Sequence, residues 1–155
     1  MTELPIWDEN ETLEFVSLVA GQQSFCIEIT QIREIRRWTP VTSLPYAEAS
    51  VLGVMNLRGA VIPIMDLAVK LGLPSSEPSE RDVVIVVSVN SRTIGLLVES
   101  VAEIVTVKGG DIRETPAIAR GEGTKSIIGL VSLDEDMSRV LDLSQLLPAQ
   151  VEEVA

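Results

Sequence analysis

The chain has 155 residues, 46% of them hydrophobic, enough to bury a core as one domain or as two small, closely packed halves. With 23 acidic against 12 basic residues it is net −11, which argues against nucleic acid as a partner, because phosphate recognition needs a concentrated basic face. A single cysteine, Cys26, and the absence of histidine leave no disulfide framework, no thiolate metal site and no imidazole chemistry.

All 12 basic residues fall between Arg33 and Arg139, whereas Glu3, Asp8, Glu9 and Glu11 lie in residues 1–12 and Glu152 and Glu153 near the other end. The body is then 17 acids against 12 bases, net −5, and residues 1–12 and 148–155 read as flexible acidic tails. No apolar run reaches the roughly 18 residues that span a bilayer, and Met1-Thr2-Glu3-Leu4-Pro5 lacks the basic and apolar regions of a signal peptide. The expectation is a cytoplasmic protein without direct membrane insertion.

Leu13-Glu14-Phe15-Val16-Ser17-Leu18-Val19 is an apolar strand, followed by a turn at Ala20-Gly21-Gln22-Gln23 and a second strand over 24–29. In that strand Phe25, Ile27 and Ile29 share one face by the two-residue period, with Cys26 on the other beside Glu28. An acidic neighbour does not activate a thiol, so Cys26 reads as a small structural residue. Residues 30–35 read as one helical turn capped by Thr30, leading into Arg36-Arg37-Trp38. Pro40 and Pro45 rule out regular helix over 38–46, and 41–44 fits an extended segment. Residues 47–52 read as a further helical turn.

The centre of the chain is residues 53–67. Two apolar runs flank Asn56-Leu57-Arg58-Gly59, and glycine can take the positive φ of a tight hairpin, so the stretch reads as strand, turn, strand with Arg58 at the tip. Pro63 cannot donate to a ladder and is expected at a sheet edge or bulge; Asp66 is placed to cap a short helix over 67–71. Residues 74–80, with two prolines and no apolar side chain to bury, form a loop between halves of about 13–73 and 82–147. Whether the halves exchange strands is left open by the sequence. Beyond the loop come a β-branched strand over 82–89, a turn at Asn90-Ser91 and a return strand over 92–98.

An internal repeat runs through these elements. At an offset of 69, Phe25, Ile27, Ile29, Ile32, Glu34 and Ile35 fall on Ile94, Leu96, Val98, Val101, Glu103 and Ile104. At an offset of 76, Gly53, Leu57, Asp66 and Leu67 fall on Gly129, Leu133, Asp142 and Leu143, the difference lying in the Gly-, Pro- and charge-rich segment 108–126. Two copies of a strand-rich unit, each too small to be stable alone, point to a mostly β protein of two pseudo-repeated five-stranded barrels with a few short helices. The hairpin tips differ: Asn56-Leu57-Arg58-Gly59 becomes Ser132-Leu133-Asp134-Glu135.

Catalytic signatures are missing. No phosphate-binding glycine loop, dinucleotide fingerprint or nucleophile elbow occurs, Glu122 between Gly121 and Gly123 would repel a phosphate, and Asp134-Glu135-Asp136 does not match a calcium-binding loop. No cofactor or metal is expected, and the chain does not read as an enzyme.

The Phe-Val-rich first strand, Ile32-Arg33-Glu34-Ile35, the Asn-Leu-Arg-Gly hairpin followed by apolar-Pro-apolar-x-Asp66-Leu67, and the Val-rich strand over 83–89 resemble the CheW-like family of bacterial chemotaxis coupling proteins, over about residues 13–147. The resemblance implies two SH3-like barrels and a noncatalytic adaptor that bridges the cytoplasmic tips of methyl-accepting chemoreceptors to the regulatory domain of the histidine kinase CheA. It also implies partner-binding roles for Arg58 and Glu34, the second lying near the first, and for Ile32, Gly53, Asn56, Leu57, Val86 and Val87 at the hairpin or the groove between barrels. For Ile32, Val86 and Val87 the residues themselves are equally consistent with plain core, and Gly53 with a backbone requirement. A module that binds a small ligand, or senses one, in the cleft between barrels is the alternative; it would need convergent polar groups there.

Overall fold

The computed structural model describes residues 7–114, 126–133 and 136–148. Among these residues ten strands form two five-stranded sheets. In chain order they are β1 (Thr12–Ala20), β2 (Gln23–Glu28), β3 (Ile32–Arg37), β4 (Val51–Leu57), β5 (Ala60–Asp66), β6 (Val83–Val89), β7 (Arg92–Val98), β8 (Ser100–Lys108), β9 (Ile127–Leu133) and β10 (Asp136–Leu141). One sheet has the order β8-β1-β2-β10-β9 and the other β3-β6-β7-β5-β4. By the repeat, β6–β7 is the second copy of β1–β2, β8 that of β3, and β9–β10 that of β4–β5. Each sheet therefore takes three strands from one copy and the first hairpin from the other.

Side-chain alternation sorts each strand between two cores. On β6, Val84 and Val86 face Ile62, Ile64 and Leu97 inside their own sheet, whereas Ile85 and Val87 join Leu18, Phe25, Ile27, Met65, Leu96 and Leu143 in a larger core between the sheets. A third cluster, Leu13, Phe15, Cys26, Val131 and Val140, fills the other sheet. That arrangement explains why strand 83–89 is apolar at successive positions: it is covered on both faces. It also places Cys26 opposite in direction to Phe25 and Ile27, as the two-residue period requires.

The turns follow backbone chemistry. Leu57 pairs with Ala60 across a two-residue loop, and Arg58 and Gly59 both have positive φ, 51° and 90°, as a mirror-image hairpin turn demands. Asn56 Oδ1 accepts from the Gly59 N–H at 2.9 Å and closes it. Asp66 caps the short helix α1 (Leu67–Lys70) by accepting from the Val69 N–H, and its other oxygen accepts from Ser75 Oγ at 2.6 Å, which ties the start of the 74–80 loop to the helix.

Four expectations are corrected. Only Ile29–Gln31 make a helical turn, of the 3-10 kind; Ile32–Arg37 is an edge strand laddered to β6, with exposure alternating residue by residue. No helix forms over 47–52: the chain makes a single turn at Ala49-Ser50, closed by the Val51 N–H on the Glu48 C=O at 2.9 Å, and then enters β4, with the Ser50 C=O accepting from the Asp66 N–H. Pro63 lies on β5, an interior strand. It is tolerated because it faces Val54, whose N–H and C=O bond to Thr42, and because the pairing with β7 begins at Ile64. Residues 7–12 are packed against the fold: Trp7 meets Phe15 edge-on at 6.3 Å, and the C=O groups of Glu9 and Glu11 accept from Gly110 and Gly109. Counting acids alone overlooked the tryptophan. Asp134, Glu135 and residues 115–125 and 149–155 lie outside the described residues.

Candidate partner-binding surface

Arg58 and Glu34 come from opposite edges of one sheet, the β4–β5 tip and edge strand β3, and meet because the sheet rolls up. Arg58 Nη1 donates to Glu34 Oε2 at 2.7 Å, and Arg36 Nη1 donates to Glu34 Oε1 at 3.1 Å. The carboxylate thus spans two guanidiniums. First Arg58, then Arg36, hold its carboxyl below the ordinary value of 4.5, so it stays ionised at neutral pH. The exposures divide the roles: Glu34 is 23% exposed and Arg58 73%, leaving most of the Arg58 fork free for a partner's acceptor.

A bulge aims the pair. Ile32 faces Val87 and Glu34 faces Val86, so Arg33 is the extra residue, and the strand kinks between the two positions that line the surface. Next to the pair runs an apolar groove of about 390 Å³ at the seam of the two barrels. One wall is Ile32, Glu34 and Ile35 on β3, the other Val101, Ala102, Glu103 and Ile104 on β8, with Val16 and Ile29 at the base. Ile35 and Ile104, equivalent in the repeat, are 47% and 57% exposed, unusual for isoleucine on a strand with a sheet behind it.

The residues implied by the resemblance separate into three groups. Arg58, Glu34 and Ile32 share this surface, and Asn56 shapes the tip that presents Arg58. Gly53 is buried at φ 153°, and a Cβ there would strike the Thr42 carbonyl, so it serves the backbone beneath the hairpin. Leu57 packs against the core under the tip, and Val86 and Val87 are fully buried, one in each core. Val86 and Val87 have no surface to offer, so the contact role implied for them is corrected to one of framing β3. Sequence reasoning missed Arg36 and the whole β8 wall. The offset of 69 that carries Ile32, Glu34 and Ile35 onto Val101, Glu103 and Ile104 was the available signal.

The CheW-like domain model matches residues 14–151. The chain is 43% identical over 142 residues to the chemotaxis protein CheW of Rhizobium meliloti (strain 1021), covering 92% of each. It is 32% identical over 137 residues to that of Klebsiella aerogenes, covering 88% of this chain and 82% of the other. The fold is similar to the scaffolding protein TtCheW from Thermoanaerobacter tengcongensis, with a TM-score of 0.78 and 22% identity over 85% of this chain and 90% of that one. The family model over residues 14–151 and a relative 43% identical over 92% of both chains place this two-barrel β protein in the CheW-like family of chemotaxis proteins.

Proposed function

We propose that the protein is a noncatalytic chemotaxis adaptor that couples the cytoplasmic tips of methyl-accepting chemoreceptors to the regulatory domain of the histidine kinase CheA. The observation that carries this reading is the join between an exposed, pre-oriented guanidinium and an apolar groove, the pairing of anchor and trough that helix-binding surfaces use. A catalytic reading has little to stand on. The lone thiol, Cys26, is buried and pushed up to about 11 by that burial, and the chain has no histidine. The small-ligand alternative is weaker for a specific reason: among the described residues the only charged side chains lining the groove are Glu34, already held by two arginines, and Glu103.

Affinity capture tests the proposal. The purified chain should retain both a chemoreceptor cytoplasmic fragment and the CheA regulatory domain, and retain both at once in a ternary mixture. A chain that captures neither sinks the adaptor reading.

A further inference from the structure

We propose that the groove dictates the direction in which a partner helix lies, through opposite charge on its two walls, and that Glu103 is the residue that sets it on the β8 wall. The inference rests on the groove reading above and adds the polarity of the occupant.

The walls are equivalent strands. Ile32 and Ile35 on β3 correspond to Val101 and Ile104 on β8, so a helix with an apolar stripe would meet a similar surface either way round. Charge breaks the equivalence. On the β3 side the one acid, Glu34, is paired with Arg36 and Arg58, and Arg33 and Arg37 are exposed on the same strand, leaving that wall positive. On the β8 side Glu103 takes the place of Glu34 and Val105 that of Arg36, and no ion pair reaches Glu103 among the described residues.

The backbone of Glu103 is also pinned. Ser17, buried on β1, donates from Oγ to the Glu103 C=O at 3.3 Å and accepts from the Glu103 N–H at 3.2 Å. Both bonds sit where the β1–β8 register shifts, and the equivalent of Ser17 in the second copy is Val86, on β6, which can do neither. The Glu34 carboxylate is held by side-chain cations; the Glu103 carboxylate is exposed, on a backbone pinned by Ser17, with no ion pair among the described residues. The occupant that fits is an amphipathic helix with an acidic flank facing Arg58 and a basic flank facing Glu103. Reversing such a helix swaps its flanks, setting base against the arginines and acid against Glu103.

Three helical peptides with the same leucine stripe at i, i+3, i+4 and i+7 test this by fluorescence anisotropy against the full chain. Their flanks are Glu/Lys, Glu/Glu and Lys/Lys. The parent should bind Glu/Lys at least about fivefold more tightly than either other peptide. Glu103→Lys should make Glu/Glu the best binder, Glu103→Gln should level Glu/Lys with Glu/Glu, and Glu14→Lys, on β1 outside the groove lining, should change no ranking. A parent that does not discriminate, a ranking unmoved by Glu103→Lys, or no binding by any peptide overturns the proposal. A chemoreceptor fragment separates this failure from that of the groove reading. If its binding is lost with Ile35→Asp but indifferent to Glu103→Lys, the groove stands and the direction rule falls; indifference to both removes the groove as well.

Discussion

Replacing Arg58 by asparagine separates what the hairpin needs from what the surface offers. Arg58 holds φ 51° in a turn whose two central residues both have positive φ, a backbone that costs an ordinary residue roughly 1–2 kcal/mol and suits asparagine well. Asparagine recovers part of that cost. What it loses is a bond to Glu34 from a side chain that is 73% exposed, a kind of pair that adds little to stability, and Glu34 keeps Arg36 at 3.1 Å. The two effects nearly cancel or slightly favour the variant. Its Tm should stay within about 4 °C of the parent or rise, since 1 kcal/mol moves a chain of this size by about 2–4 °C. Binding behaves differently. Truncating a central interface arginine costs about 2 kcal/mol, so affinity for the receptor fragment or the CheA regulatory domain should fall roughly thirtyfold. Thermal melts followed by circular dichroism, beside titrations of the labelled partners, read both quantities. A variant that melts more than about 5 °C lower while binding both partners like the parent would show Arg58 to be structural and refute the reasoning.

Gly53→Ala should destabilise by about 2–3 kcal/mol, because the new methyl meets the Thr42 carbonyl at a φ open mainly to glycine; a Tm drop of roughly 5–10 °C checks it. Asp66→Ala removes the acceptor for both the Val69 N–H and Ser75 Oγ, and should cost about 1–2 kcal/mol and speed proteolysis within 74–80. The Glu34 carboxyl, watched by its carbon resonance, should titrate below 4.5 in the parent and closer to 4.5 in Arg58→Ala. Because its folded value is depressed, the contribution of the pair is complete above about 4.5 and is lost only as pH falls through the lower folded value, so acidification from pH 7 to 5 should leave the contact intact. Cys26, with its thiol pushed up to about 11, should resist alkylation at pH 8 in the folded chain and react promptly in denaturant.

Strand identity was legible wherever the two-residue period and turn chemistry agreed: Phe25 and Ile27 against Cys26, Asn56 to Gly59, and Asn90-Ser91, which also takes positive φ. The readings that failed share a cause. Residues 32–35 alternate in exposure, yet Thr30 and a pair of isoleucines three apart mimic a helical turn, and only the ladder to β6 distinguishes them. Pro63 obeys the rule that proline avoids a ladder donor's position, but which position lacks a partner depends on Thr42, 21 residues earlier. The meeting of Arg58 and Glu34 was implied by the family resemblance, and Arg58 stood out besides because a turn needs only glycine and asparagine there. Arg36 was hidden because a helical turn over 30–35 turns residues two apart away from each other, whereas on β3 Glu34 and Arg36 share a face; the β8 wall was marked only by the repeat, since it meets β3 across two sheet edges distant in sequence.

The exchange of hairpins bears on how the molecule carries load. The chain passes from one barrel to the other over Ile29–Gln31 and returns through the single residue Glu99. Drawing the two copies of the repeat apart would strip β1–β2 from β8 and β10 and β6–β7 from β3 and β5, so ladder bonds resist it together with the apolar core between the sheets. Cutting the chain in the 74–80 loop would therefore leave neither half with a complete five-stranded sheet of its own.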